Sequence, residues 1–181
     1  MQIARAPQSI IGYHGCDLDV AERLLEGAPF QKSENDYDWL GSGAYFWEYA
    51  PFRAWDWARQ RYGERGAVIS AEISLGDCLN LLDNHHFADL QSVYEYFFQI
   101  LTARGIPLPA NSRGANRLDR MVIDKFSELY NRRGGYFDTV RGCFPEGIAL
   151  YEGSQLLSRT HVQIAVRNLA CIENVKLVHF E

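Results

Sequence analysis

Two short stretches of this sequence combine residue types that can hold a flat, polar ligand. Tyr13-His14-Gly15 closes an apolar, β-branched run that begins at Ser9. An imidazole there offers a hydrogen-bonding edge, and the glycine after it lets a ligand approach the backbone. Alone this is a weak signal, because a histidine at a strand end is commonly a satisfied structural residue. The second stretch is Gly41-Ser42-Gly43-Ala44-Tyr45-Phe46-Trp47, followed by Ala54, Trp55, Trp57 and Ala58. Its two glycines permit a tight, backbone-exposing turn into a strand that presents Tyr45, with an Ala/Trp helix packed beneath. An ordinary strand–helix core with turn glycines reads the same way. No Gly-Lys-Ser/Thr follows either stretch, so an ATP-type phosphate loop is absent.

A third candidate lies late in the chain. In His161-Val162-Gln163-Ile164-Ala165-Val166, alternation puts His161, Gln163 and Ala165 on one face and the apolar residues on the other. Gln163 is thus either a site residue or a surface glutamine on a half-exposed strand. Arg53, near a helix start, has the guanidinium geometry that suits a phosphate, or is a surface charge. The segment Ser33 to Leu40 sets Tyr37 and Trp39 among carboxylates. It reads as a cover over a ligand or as a capped turn anchored by Trp39.

Taken together, His14-Gly15 after an early strand, then Gly41-x-Gly43-x-Tyr45-Phe46 and a helix of small residues, resembles the ADP-ribosyltransferase superfamily. The likeness is to its His-Tyr branch, which includes the poly-ADP-ribose polymerases and diphtheria-type toxins, and to small bacterial transferase-like proteins. Direct motif matching covers residues 11–58. The resemblance implies a split antiparallel or mixed sheet that holds NAD as co-substrate in a cleft. His14 would bond the adenosine ribose, and the Gly15 backbone would hold the nicotinamide carboxamide. Tyr45 would stack on the nicotinamide ring, with Gly43 and Arg53 completing the binding set. Gln163 stands where the family carries a catalytic Glu, so negative charge aimed at the developing cation is missing. Either Gln163 suffices, or Glu48, Asp138, Glu146 or Glu152 substitutes, or the cleft binds NAD without turning it over.

The elements needed to position these residues follow from spacing. Ser9 to His14 predicts a buried strand, and Asp17 or Asp19 caps a helix that runs to Glu26 and ends at Gly27. Residues 28–44 read as loop, and Pro51 opens a helix carrying Ala54, Trp55, Ala58 and Tyr62. Period-two apolar residues predict a strand from Ala67 to Leu75, with Cys78 to Leu82 as a short continuation. Helices are predicted over His86–Arg104 and Leu118–Arg132, the second with a stripe of Leu118, Met121, Val122, Phe126 and Leu129. Gly105 to Asn116 between them reads as a loop. Strand-like runs at Tyr136–Val140, His161–Arg167 and Ile172–Phe180 close the chain. The order predicts one α+β domain over 1–181 with flanking helices, not a doubly wound parallel sheet.

Composition narrows the function classes. The 181 residues are 47% hydrophobic and 13% aromatic with a net charge of −5, which argues against disorder and against broad electrostatic binding of nucleic acid. The most basic stretch, from Arg113 to Arg133, reads first as a solvated helix face. No apolar run is long enough to span a membrane, and Met1 to Gln8 has no apolar signal-peptide core. Cys16, Cys78, Cys143 and Cys171 are widely spaced, and adjacent His85 and His86 point apart on a helix, so neither metal nor disulfide framework is expected. The expectation is a small cytoplasmic mono-ADP-ribosyltransferase. A protein acceptor is favoured over nucleic acid, and toxin or effector use, with a neutralising partner protein, is a family-level association. The competing readings are a catalytically inactive module that binds NAD or a partner, and an RNA 2′-phosphotransferase-like enzyme needing a basic cleft.

Overall fold

The computed structural model describes residues 8–112 and 114–180; the readings made for Met1 to Pro7 and for Arg113 lie outside them. The chain runs β1 (Ser9–Asp17), α1 (Leu18–Leu25), β2 (Ala44–Glu48), α2 (Pro51–Tyr62), β3 (Gly66–Ser74) and β4 (Cys78–Asn80). It continues with α3 (Phe87–Ala103), β5 (Asn111–Ser112), β6 (Ala115–Asn116), α4 (Arg117–Arg132), β7 (Thr139–Phe144), β8 (His161–Val166) and β9 (Ile172–Leu177). This is an α+β protein with a seven-stranded mixed sheet in the order β4-β7-β8-β2-β1-β3-β9, plus a two-stranded β5-β6 hairpin. Among the described residues no helix is long and apolar enough to cross a membrane.

Local chemistry explains the early elements. The Asp17 carboxylate accepts from the Asp19 N–H at 3.0 Å and caps α1. Gly27 follows with φ +95°, in the left-handed region that ends helices. Pro51 occupies the first turn of α2, where its missing N–H costs nothing. Ile69, Ala71 and Ile73 of β3 are buried on one face, as alternation predicts; Val68 is buried on the other, beneath α2. The covered sheet is therefore buried on both sides here.

Three elements depart from the sequence reading, besides the β5-β6 hairpin inside the stretch from Gly105 to Asn116 that reads as a loop. β4 is not a continuation of β3: it crosses to the far edge of the sheet and pairs in parallel with β7. β7 starts at Thr139 because Asp138 is used otherwise. Its carboxylate accepts from the Asp77 N–H and the Asn168 amide, and its carbonyl accepts from Arg167 and Asn168. α4 turns Ile123 and Ser127 into the core, with Phe126 and Tyr130 packed against it, whereas Leu118 and Val122 line a cavity. The basic stretch is largely neutralised, with Arg117 paired to Asp36, Lys125 to Glu128, and Arg120 near Asp124.

One irregularity in the sheet positions the candidate site. All nine residues of β1 pair with β3, but only Gly12 and Tyr13 pair with β2. Beyond Tyr13 the two strands part, and the sheet is forked between His14-Gly15-Cys16 on one side and Ala44-Tyr45-Phe46 on the other. One face of the sheet packs on α2 and α4; the other packs on α1 and Phe30.

Candidate functional site

His14 sits in the fork. Its Nδ1–H donates to the Tyr45 carbonyl at 2.8 Å, replacing a ladder bond that the parted strands do not make. The ring packs against Phe30 and Phe46, and burial lowers its pKa, so it is neutral with Nε2 as its remaining hydrogen-bonding edge. His14 also lines a cavity of about 290 Å³ with Arg23, Leu24, Pro29 and Phe30. Gly15 is next along the strand. The Ile11 carbonyl accepts from Tyr49 N–H on the β2 side, so alternation turns the backbone edge of Gly15 toward β2 as well. The β1–β2 ladder has stopped by then, so that edge has no strand partner, while Gly15 itself is buried. A side chain is also excluded at Gly15: a Cβ would stand 2.5 Å from the Ala54 carbonyl and 3.2 Å from Trp57.

Tyr45 and Gln163 share the face covered by α2 and α4, because Tyr45 pairs with Ala165 and Trp47 with Gln163 in register. The side chain of His14 projects with Phe46 to the opposite face. The structure therefore brings Tyr45 and Gln163 to one wall, and joins His14 to them only through the Tyr45 backbone. The Tyr45 hydroxyl donates to the Gly41 carbonyl at 2.8 Å and accepts from Leu40 N–H at 2.9 Å. Burial holds this phenol well above its usual pKa. Gly43 leads into β2 with no room for a side chain, a Cβ falling 3.0 Å from the Ala165 backbone.

The loop before β2 is folded by its own polar groups. Asp38, 2% exposed, accepts from the Ser33 hydroxyl at 2.7 Å and the Asn35 N–H at 2.5 Å. Trp39 then lies over Gly142, and its indole N–H donates to Gln163 Oε1 at 2.7 Å. The far end of the loop rests on α2, where the Arg61 guanidinium lies over both the Tyr37 and Trp57 rings.

Around Gln163 lie His161, which is assigned no role in the sequence reading, together with Trp47 of the second motif and the candidates Arg53 and Glu146. His161 is buried beside Trp47 and Phe144, and its Nδ1–H donates to the Arg159 carbonyl at 2.6 Å. Burial lowers its pKa, leaving Nε2 as an unprotonated lone pair. Arg53 pairs with Glu146 at 2.9 Å, and Glu146 comes within 3.9 Å of His161. Trp47 Nε1, Arg53 Nε and His161 Nε2 are all buried without a partner in this neighbourhood. Orphaned donors and acceptors of this kind are normally met by ordered water or a ligand. The alternation that marked Gln163 also marks His161, two residues before it, and that is the signal by which it could have been found.

Of the four carboxylates weighed as substitutes for a Glu at position 163, Glu146 is the one found beside His161. Glu48 is paired with Arg141 at 2.6 Å on the opposite face, Asp138 is engaged at the start of β7, and Glu152 is exposed. Among the described residues no group of three His, Cys, Asp or Glu is placed to hold a metal ion.

At the level of fold the protein is α+β, with one large mixed sheet and four helices. No family model matches the chain. It is similar to an uncharacterised protein of Methanocaldococcus jannaschii, 27% identical over 198 aligned positions that cover 93% of this chain and 87% of the relative.

Proposed function

We propose that this protein is an NAD-dependent mono-ADP-ribosyltransferase whose dinucleotide cleft is the fork between β1 and β2. The observation that carries the reading is the backbone edge of Gly15, without a strand partner, beside the His14 bridge to Tyr45. A free peptide N–H and C=O side by side suit a carboxamide, which needs one acceptor and one donor. The neutral His14 ring has Nε2 left to accept from a ribose hydroxyl, and Arg23 in the adjoining cavity suits a phosphate. Gly43 and Gly15, both closed to side chains, keep the approach narrow.

NAD supplies a positively charged leaving group: its nicotinamide–ribose bond breaks, the electron pair departs with nicotinamide, and an acceptor nucleophile bonds the freed carbon while losing its proton. Gln163 lies across the sheet from the His14 ring, and as an uncharged amide whose carbonyl is held by Trp39 it does not neutralise the developing cation. A protein acceptor fits the chain better than RNA, because Arg117, Arg120 and Lys125 are matched by carboxylates. The test is purified protein with labelled NAD, alone and with lysate. Release of nicotinamide together with labelled protein supports the reading; neither product refutes it. The engaged, uncharged Gln163 favours one second reading, an inactive NAD-binding module, for which calorimetry would show affinity without turnover.

A further inference from the structure

A second cavity, of about 430 Å³, lies between α3, α4 and the edge of the sheet. Its volume falls within the usual range for small-molecule sites. Phe87, Leu90 and Tyr94 follow one face of α3; Leu118, Val122 and Ile123 follow one face of α4; Trp39 and Cys143 close it toward the sheet. α3 contributes only Val93 as a fully buried residue, so this helix stands off from the core instead of filling the space. Three of the lining residues are aromatic, Asp119 supplies a carboxylate, and neither Lys nor Arg lines the wall. Aromatic rings around an apolar space, with the exposed Asp119 carboxylate at the rim, favour a poorly hydrated cation with an apolar body.

We infer that this cavity is a binding site for a small organic cation with an apolar body, an aryl- or alkylammonium, held by Trp39, Phe87 and Tyr94 with Asp119 at its charged end. Trp39 is shared with the candidate cleft, since its indole N–H holds Gln163 while its ring walls the cavity. Occupancy and the orientation of Gln163 are coupled through that one side chain. The inference does not depend on the transferase reading.

The test is binding measured by calorimetry on the intact chain, with benzyltrimethylammonium and its uncharged carbon isostere neopentylbenzene as probes. The cation is expected to bind about tenfold more tightly than the isostere. Asp119→Asn should remove most of that preference, and the cavity-filling Val122→Phe should abolish binding of both. Equal affinity for the isostere would reduce the site to a non-specific apolar hole and overturn the cation assignment. Absence of binding at millimolar cation, with all variants folded by circular dichroism, would overturn the site itself.

Discussion

Lowering pH should destabilise the fold through two buried histidines, and the effect can be assigned to one of them. His14 and His161 are both held neutral by burial, so their folded pKa values lie below the unfolded value of about 6.5. The unfolded chain therefore binds more protons in this window. The stability from keeping the rings neutral is complete above about pH 6.5 and falls as pH drops from there toward the folded values. Each ring can contribute a slope of about 1.4 kcal/mol per pH unit, so the pair gives about 2.7 where both differ fully. His14→Gln keeps a donor for the Tyr45 carbonyl but removes one titration. It should cost about 1–3 kcal/mol at pH 7.5 from the lost Phe30 and Phe46 ring contacts. It should also flatten the acid slope by about 1.4 kcal/mol per unit. Asp38, whose carboxyl burial raises, works in the opposite sense, and comparing the two proteins cancels it. Urea unfolding of both proteins from pH 7.5 to 5.0 gives the two curves. Parallel curves would mean that His14 is not held neutral in the fork.

Further substitutions test the site and its support. Gly15→Ala forces a methyl against the Ala54 carbonyl and should destabilise by about 1–3 kcal/mol in thermal unfolding, while abolishing NAD affinity by calorimetry. Gln163→Glu restores a carboxylate beside Trp39 N–H and should raise nicotinamide release at least tenfold; unchanged release would count against missing charge as the limit on turnover. Glu48→Ala strands Arg141, 13% exposed at its side chain, and should cost about 3–5 kcal/mol by chemical denaturation, without changing NAD affinity.

Much of the architecture was legible along the chain because its causes are local. The Asp17 cap, Gly27 stop, Pro51 start and alternation of Ile69, Ala71 and Ile73 act within a few residues, and each element stands where those signals put it. Period two also groups His161, Gln163 and Ala165 on one face of their strand, but spacing alone leaves open whether that face turns inward or to solvent. What sequence spacing could not carry was partnership between distant strands. β4 joins β7 at the far edge rather than extending β3, and α4 buries Ile123 and Ser127 while Leu118 and Val122 line a cavity. The fork is the clearest case: whether His14 continues a ladder or bridges to the Tyr45 carbonyl depends on where two strands part, a balance of packing by Phe30, Phe46 and Trp57 from separate elements. Residue types fixed what each position could do. Only the long-range closure of the sheet decided which of them meet, because that closure is selected by summed burial over the whole core and not by any one segment.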